Sequence, residues 1–300
     1  MLDLIAVGEC MVELWSDQPL SETPTLNVAY GGDVLNSLVT ASRLGAQVGL
    51  VTRVGTDPFG PGLLRAWQAE GIDVRSAPLV PGENGVYFIS VQADGEREFT
   101  YRRTGSAASA MRPEDLNPTY LESARIVLLS GITQAISDTA EATTMEAARV
   151  ARAAGVQVAY DPNYRANLWA KRGGLAAAQR AAQSLLPLVD ILLPSHPADH
   201  GLVNASPGED TLERYLNCAP LVAVKRGEEG VTLAEGECVT HVPAVPAAHV
   251  RDTTGAGDAW NGAFLYALTQ QRGLLEAARL ANSVASQTLA YRGAIPPRSP

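Results

Sequence analysis

Short apolar runs alternate with longer stretches of helical period along most of the chain. Residues 2–7, 48–54, 125–130, 156–161, 191–193 and 221–224 are continuously apolar enough to be strands buried on both faces. Amphipathic stretches at 33–44, 58–70 and 138–154 read as helices, each stopped by a glycine: Gly45, Gly71 and Gly155. A last helical pair is expected at 255–271 and 274–290. Residues 231–234 and 239–242 flank Glu235-Gly236-Glu237 and predict a hairpin. Strands alternating with helices predict an α/β fold, a mostly parallel sheet covered on both faces.

Two stretches break the alternation. Residues 11–15 with 26–29, and 85–91 with 98–102, have strand period and polar turns such as Ala93-Asp94-Gly95, with no helix between them. They predict a small separate β-sheet, read as a lid built from about 10–30 and 84–104 on a single domain spanning 1–300.

Composition narrows the function. At 46% hydrophobic and 18% charged, the 300 residues can bury a full core. No apolar run reaches membrane-spanning length, and the first residues read as a strand rather than a leader, which predicts a cytoplasmic protein without a membrane partner. The net charge of −9 argues against nucleic acid as a partner, and any anionic substrate must be met by local donors. Cys10, Cys218 and Cys238 are odd in number and far apart, as expected of reduced thiols, with Cys10 a core residue.

The sharpest chemical signal is Arg251-Asp252-Thr253-Thr254-Gly255-Ala256-Gly257-Asp258, running into an apolar helix. Small residues at a helix start expose backbone N–H groups at the positive end of the dipole, an anion site. Asp258 is either a dipole-stabilising carboxylate or a base beside a held phosphoryl group, taking the proton of an attacking hydroxyl. Lys171 and Lys225, the two lysines, are each followed by Arg, so no P-loop Gly-Lys-Ser/Thr exists. Gly31-Gly32-Asp33-Val34-Leu35-Asn36 suits close approach to a ligand, with Asp33 or Asn36 on sugar hydroxyls; the plainer alternative is a turn with Asp33 capping the helix. Tyr101-Arg102-Arg103 and Asp161-Pro162-Asn163-Tyr164-Arg165 offer guanidinium groups for a carboxylate or phosphate, or solvated surface arginines. His196 and His200 stand four apart with no third ligand suggested.

Together these segments resemble the ribokinase-like, or phosphofructokinase B, family of carbohydrate kinases. Gly8-Glu9-Cys10-Met11-Val12-Glu13-Leu14, Ser130-Gly131-Ile132, Asn163-Tyr164-Arg165 and Tyr291-Arg292-Gly293-Ala294-Ile295 are similar to its 2-keto-3-deoxygluconate kinases. The resemblance implies a Rossmann-like core with a β-lid, and transfer from ATP to the terminal hydroxyl of that sugar acid. By this likeness Gly32, Asp33, Asn36, Tyr87, Tyr101, Arg103, Ile132 and Arg165 line the sugar-acid pocket. Asp258 is the base and Gly255, Ala256 and Gly257 form the anion hole. ATP lies along Asn163, Arg165, Ser195, Lys225, Arg226, Gly227, Gly230, Val231 and Asn282. Magnesium is implied, a monovalent cation is left open, and a homo-oligomer through the exposed sheet edge is expected. One segment departs from the family pattern: Asn-x-x-Glu is replaced by Ser195-His196-Pro197-Ala198-Asp199, which leaves Asp199 as the candidate near the metal. Fructokinase, 2-keto-3-deoxygalactonate kinase and a non-catalytic sugar-acid sensor remain as alternatives.

Overall fold

The computed structural model describes residues 1–91, 97–202, 214–215 and 218–298, so the expected Ala93-Asp94-Gly95 turn lies outside the described residues. In chain order the strands are β1 (Leu2–Val7), β2 (Met11–Trp15), β3 (Asn27–Gly31), β4 (Val48–Val51), β5 (Val54–Gly55), β6 (Ile72–Ser76), β7 (Leu79–Val80) and β8 (Gly85–Val91). There follow β9 (Arg97–Arg102), β10 (Ala124–Ser130), β11 (Gln157–Asp161), β12 (Ile191–Leu192), β13 (Leu221–Lys225), β14 (Val231–Glu235) and β15 (Cys238–Val242).

Nine of them form one sheet in the order β15-β14-β13-β12-β11-β10-β1-β4-β6, parallel except for the β14 and β15 edge. Side chains alternate faces along each strand. Leu4 and Ala6 of β1 join a core with the helices Asp33–Arg43, Gly60–Ala69, Ala256–Thr269 and Leu274–Thr288. Ile5 and Val7 join the opposite core, under the helices Pro118–Glu122, Asp138–Ala153 and Gly174–Leu185. The chain leaves β1 toward β4 on one side and returns to β10 on the other, so the switch point of the sheet lies between β1 and β10. Open α/β sheets place their ligands there, at the carboxyl ends of the strands.

The non-alternating stretches form a separate sheet, β3-β2-β8-β9, in which β2 and β8 run parallel and the outer pairs antiparallel. The hairpin is as expected, with Glu235 opposite Cys238. One expectation fails: residues 48–54 are not one strand. Val51 ends β4, and Val54 pairs instead with Leu79, because Arg53 turns outward to Asp115 at 3.1 Å and to the Ala110 carbonyl at 2.8 Å. Strand β6 and the helix Gly174–Leu185 were unassigned by pattern; β6 is an edge strand with only Ile72 fully inside.

Candidate active site

Glu9, Ser130, Asp161 and Lys225 stand at or just beyond the carboxyl ends of β1, β10, β11 and β13, around the switch point. Two helices start above them, Asp33–Arg43 and Ala256–Thr269. Gly262 lets these helices touch closely, since a Cβ there would lie 2.2 Å from the Ser37 carbonyl oxygen. That contact brings residue 36 to residue 258: Asn36 Nδ2 donates to Asp258 Oδ2 at 2.8 Å.

The predicted glycine turn leaves backbone donors open, as an anion site requires. Gly255 has φ +76°, and a Cβ on it would meet the Ala294 Cα at 2.6 Å, so no other residue fits without a shift. The N–H groups of Gly257 and Asp258 have no acceptor among the described residues, and Gly257 is exposed. Asp258 itself is partly buried. Burial, and then the nearby Asp33 charge, push its carboxyl up to about 7, against the Asn36 hydrogen bond, which favours the ionised form; Asp161 adds to the rise and Lys225 opposes it. A carboxylate so placed can gain and lose a proton near neutrality.

Lys225 does not reach outward. Its Nζ lies 2.7 Å from Asp161 Oδ2 and 2.9 Å from Asn261 Oδ1, and Asn261 Nδ2 in turn donates to Asp161 Oδ2 at 2.6 Å. Lys225 is 8% exposed and Asp161 5%. The ammonium is held under the turn, 4.0 Å from where a Gly257 Cβ would be. From there its fixed positive charge can support an anion above the turn without leaving its partners.

On the sugar side, Asp33 begins its helix but does not cap it; Gly32 is the N-cap residue. Its carboxylate accepts from Ser130 Oγ and, at 3.2 Å, from Asn163 Nδ2, and burial raises its pKa. The amide of Asn163 is thus held on Asp33, and its backbone is left-handed, φ 39°, with its N–H on Asp161 Oδ1 at 3.1 Å. A Cβ on Gly32 would sit 2.1 Å from the Glu9 carbonyl oxygen, so the turn rests directly on the end of the core sheet. Ile132 is partly exposed beside it, its N–H on Ser130 Oγ at 3.0 Å.

The small sheet contributes an aromatic and cationic wall. Tyr87 is buried with its hydroxyl on Glu13 and its ring stacked on Tyr101 at 5.8 Å. Tyr101 is 47% exposed, with the Arg103 guanidinium 5.6 Å from its ring centroid. Arg103 is not a free cation: Nε and Nη2 both donate to Glu9, the former at 2.8 Å, and Ser106 Oγ adds a third bond to that carboxylate at 3.2 Å. Glu9, which is 2% exposed, carried no chemical signal in the sequence because its partner is 94 residues away. Arg165 differs. It is exposed, its charge reaches Tyr101, and its guanidinium makes no ion pair among the described residues.

Several residues expected along the nucleotide also make contacts within the protein. Asn282 accepts from Trp260 Nε1 at 2.7 Å and donates to the Pro243 carbonyl at 2.8 Å, so its amide ties two elements together. Val231 is fully buried in the core. Asp199 is 0% exposed and accepts from the N–H groups of Tyr164 at 2.7 Å and Ser195 at 2.6 Å; burial brings its pKa to about 6. The candidate near the metal is thus enclosed, with its carboxylate held by two backbone N–H groups. Ser195 bridges to Lys225 in the sheet and is partly exposed, as is Arg226, which pairs with Glu229 at 3.0 Å. Gly227 is exposed, whereas Gly230 is buried and a Cβ there would meet the Val242 carbonyl at 2.2 Å. Among the described residues no three acidic, histidine or cysteine side chains form a metal cage.

A doubly wound sheet with a buried charge pair under a helix-start anion hole, and an acid beside it, defines a phosphotransferase acting on a small polar molecule. The chain belongs to the pfkB family of carbohydrate kinases, whose family model matches residues 1–300. It is 32% identical over 309 residues to the 2-dehydro-3-deoxygluconokinase of Haemophilus influenzae, covering 98% of this chain and 96% of that one. It is 30% identical over 311 residues to a probable fructokinase of Arabidopsis thaliana, covering 98% and 87%. A sugar kinase of Pyrococcus horikoshii, solved in complex with ATP, superposes with a TM-score of 0.83 at 27% identity, covering 98% of this chain and 95% of that one.

Proposed function

We propose that this chain transfers the γ-phosphoryl group of ATP to the terminal hydroxyl of 2-keto-3-deoxygluconate (2-dehydro-3-deoxygluconate), giving the 6-phosphate. The observation that carries the proposal is the pairing at the glycine turn: unclaimed N–H groups of Gly257 and Asp258 directly beside a carboxylate with one oxygen held by Asn36. The acceptor O–H gives its proton to Asp258 Oδ1 as its oxygen bonds to the γ-phosphorus. The bond from that phosphorus to the β,γ-bridging oxygen breaks, ADP leaves with the electron pair, and Asp258 later returns the proton to water. The N–H groups and the Lys225 charge beneath them meet the phosphoryl oxygens as negative charge spreads over them.

Mg²⁺ would be carried by the phosphates of ATP and by water, neutralising phosphate charge; among the described residues no three acidic side chains gather to cage it. The substrate's carboxylate lies against Tyr101 and is met by Arg165, the uncompensated cation of the wall, with Arg103 contributing through Nη1. The small sheet is read as a lid that folds this wall over the sugar.

The test is ATP-dependent ADP release across 2-keto-3-deoxygluconate, its galactonate epimer, fructose, ribose and gluconate, for the parent protein and Arg165→Ala. Preference for 2-keto-3-deoxygluconate, lost selectively in Arg165→Ala, supports the proposal. Preference for fructose, which the similarity to fructokinases favours, would keep the kinase and remove the sugar acid. Equal losses on acid and neutral substrates would refute the role of Arg165.

A further inference from the structure

Asn36 sits in the first turn of its helix, 5% exposed, a position that suggests a sugar-hydroxyl ligand. Its contacts describe something else. Nδ2 donates to Asp258 Oδ2 at 2.8 Å, and Oδ1 accepts from the Gly32 N–H at 3.4 Å, so the amide is oriented from both ends. Its backbone N–H is fixed on the Gly32 carbonyl at 2.7 Å. The helix carrying it is held against the Asp258 helix by the Gly262–Ser37 contact, where any larger residue would collide. The other oxygen of Asp258, Oδ1, has no donor among the described residues.

From this geometry we infer that Asn36 is a positioning residue for Asp258: it holds Oδ2 and leaves Oδ1 as the single proton-accepting atom. The inference rests on the reading of Asp258 as the base. Without the amide, a carboxylate rotates about its Cβ–Cγ bond and presents either oxygen. Its charge is also then less supported. The groups facing Asp258 are Asp33 on the helix Asp33–Arg43 and Asp161 on β11, which both favour its neutral form, and Lys225 on β13, which opposes them. Within this set Asn36 is the direct hydrogen-bond donor to the carboxylate. A donor to the ionised form lowers a carboxyl pKa, so its removal must raise it.

The experiment compares the parent with Asn36→Leu, which keeps the volume, and Asn36→Asp, which keeps the shape but replaces the donor with a third acid. Carbon-13 NMR titration of the Asp258 carboxyl, assigned by its disappearance in Asp258→Asn, needs no substrate. Asn36→Leu should raise its midpoint by about one pH unit or more, the weight of one hydrogen bond to a charged group. Asn36→Asp should raise it further. The acid limb of kcat/KM for whichever sugar the parent phosphorylates should move upward by the same amount, with KM for ATP unchanged. An unmoved titration and acid limb, with only the KM for sugar raised, would overturn the inference and make Asn36 a sugar ligand alone. If the leucine variant does not fold, the aspartate variant carries the same two readouts. A shifted titration in a protein that phosphorylates no sugar would sink the kinase reading while leaving the Asn36 contact in place.

Discussion

Asp258→Asn should make this protein more stable while disabling it, and the gain should depend on pH in a way that only a strained carboxylate explains. The folded chain holds the Asp258 carboxyl at about 7, whereas the ordinary value is 3.8. A group whose folded pKa is raised binds a proton more tightly in the native state, so it costs nothing below both values and its full penalty above the folded one. About three units at about 1.4 kcal/mol each give a ceiling of roughly 4 kcal/mol above pH 7. Residue 258 is partly exposed, so water relieves some of this, and about 2 kcal/mol is a fair expectation. The neutral amide removes that penalty and still accepts from Asn36. For a chain of this size it should raise the melting temperature by about 4 °C at pH 8, falling to a small fraction of that at pH 4.5. Thermal melts of parent and variant at the two pH values, without ligands, measure this directly. Turnover should fall by about 100-fold or more, the weight of a positioned base. A variant melting at or below the parent at pH 8, or gaining equally at both pH values, would refute the electrostatic reasoning.

Two further outcomes follow from the site. Lys225→Met leaves Asp161 buried without its cation and should cost about 3–5 kcal/mol in urea unfolding, part of which Asp161→Asn restores in the double variant; a loss under 1 kcal/mol would mean the pair is solvated. If the small sheet acts as a lid, amides of residues 85–90 and 98–103 should exchange more slowly with sugar bound, and identical exchange with and without sugar would rule closure out.

What the sequence revealed depended on distance along the chain. The glycine turn at the helix start was legible because Gly255, Ala256 and Gly257 are neighbours and their small size has a local backbone meaning. The parallel sheet was legible because strands buried on both faces are apolar throughout. Side-chain commitments were not. The contacts that hold Asn282 and Lys225, to partners 22 and 64 residues away, leave no local signal in the sequence. Glu9 shows the reverse: an acid in a strand's wake, unremarkable until Arg103 and Ser106 close on it. Edge strand β6 was invisible because a strand with one buried face and few apolar residues leaves little periodic signal.

The packing of Gly255 against Ala294 makes the glycine turn dependent on residues distant from it in sequence. A Cβ on Gly255 would lie 2.6 Å from the Ala294 Cα, and the Gly293 N–H donates to Asp252 Oδ2 at 2.8 Å. The contact between Asn36 and Asp258 draws on neither Gly293 nor Ala294. Removing the residues from Gly293 onward would therefore strip the backing from the turn while leaving both partners of that contact in the chain, so damage far along the sequence is felt at the start of the Ala256–Thr269 helix.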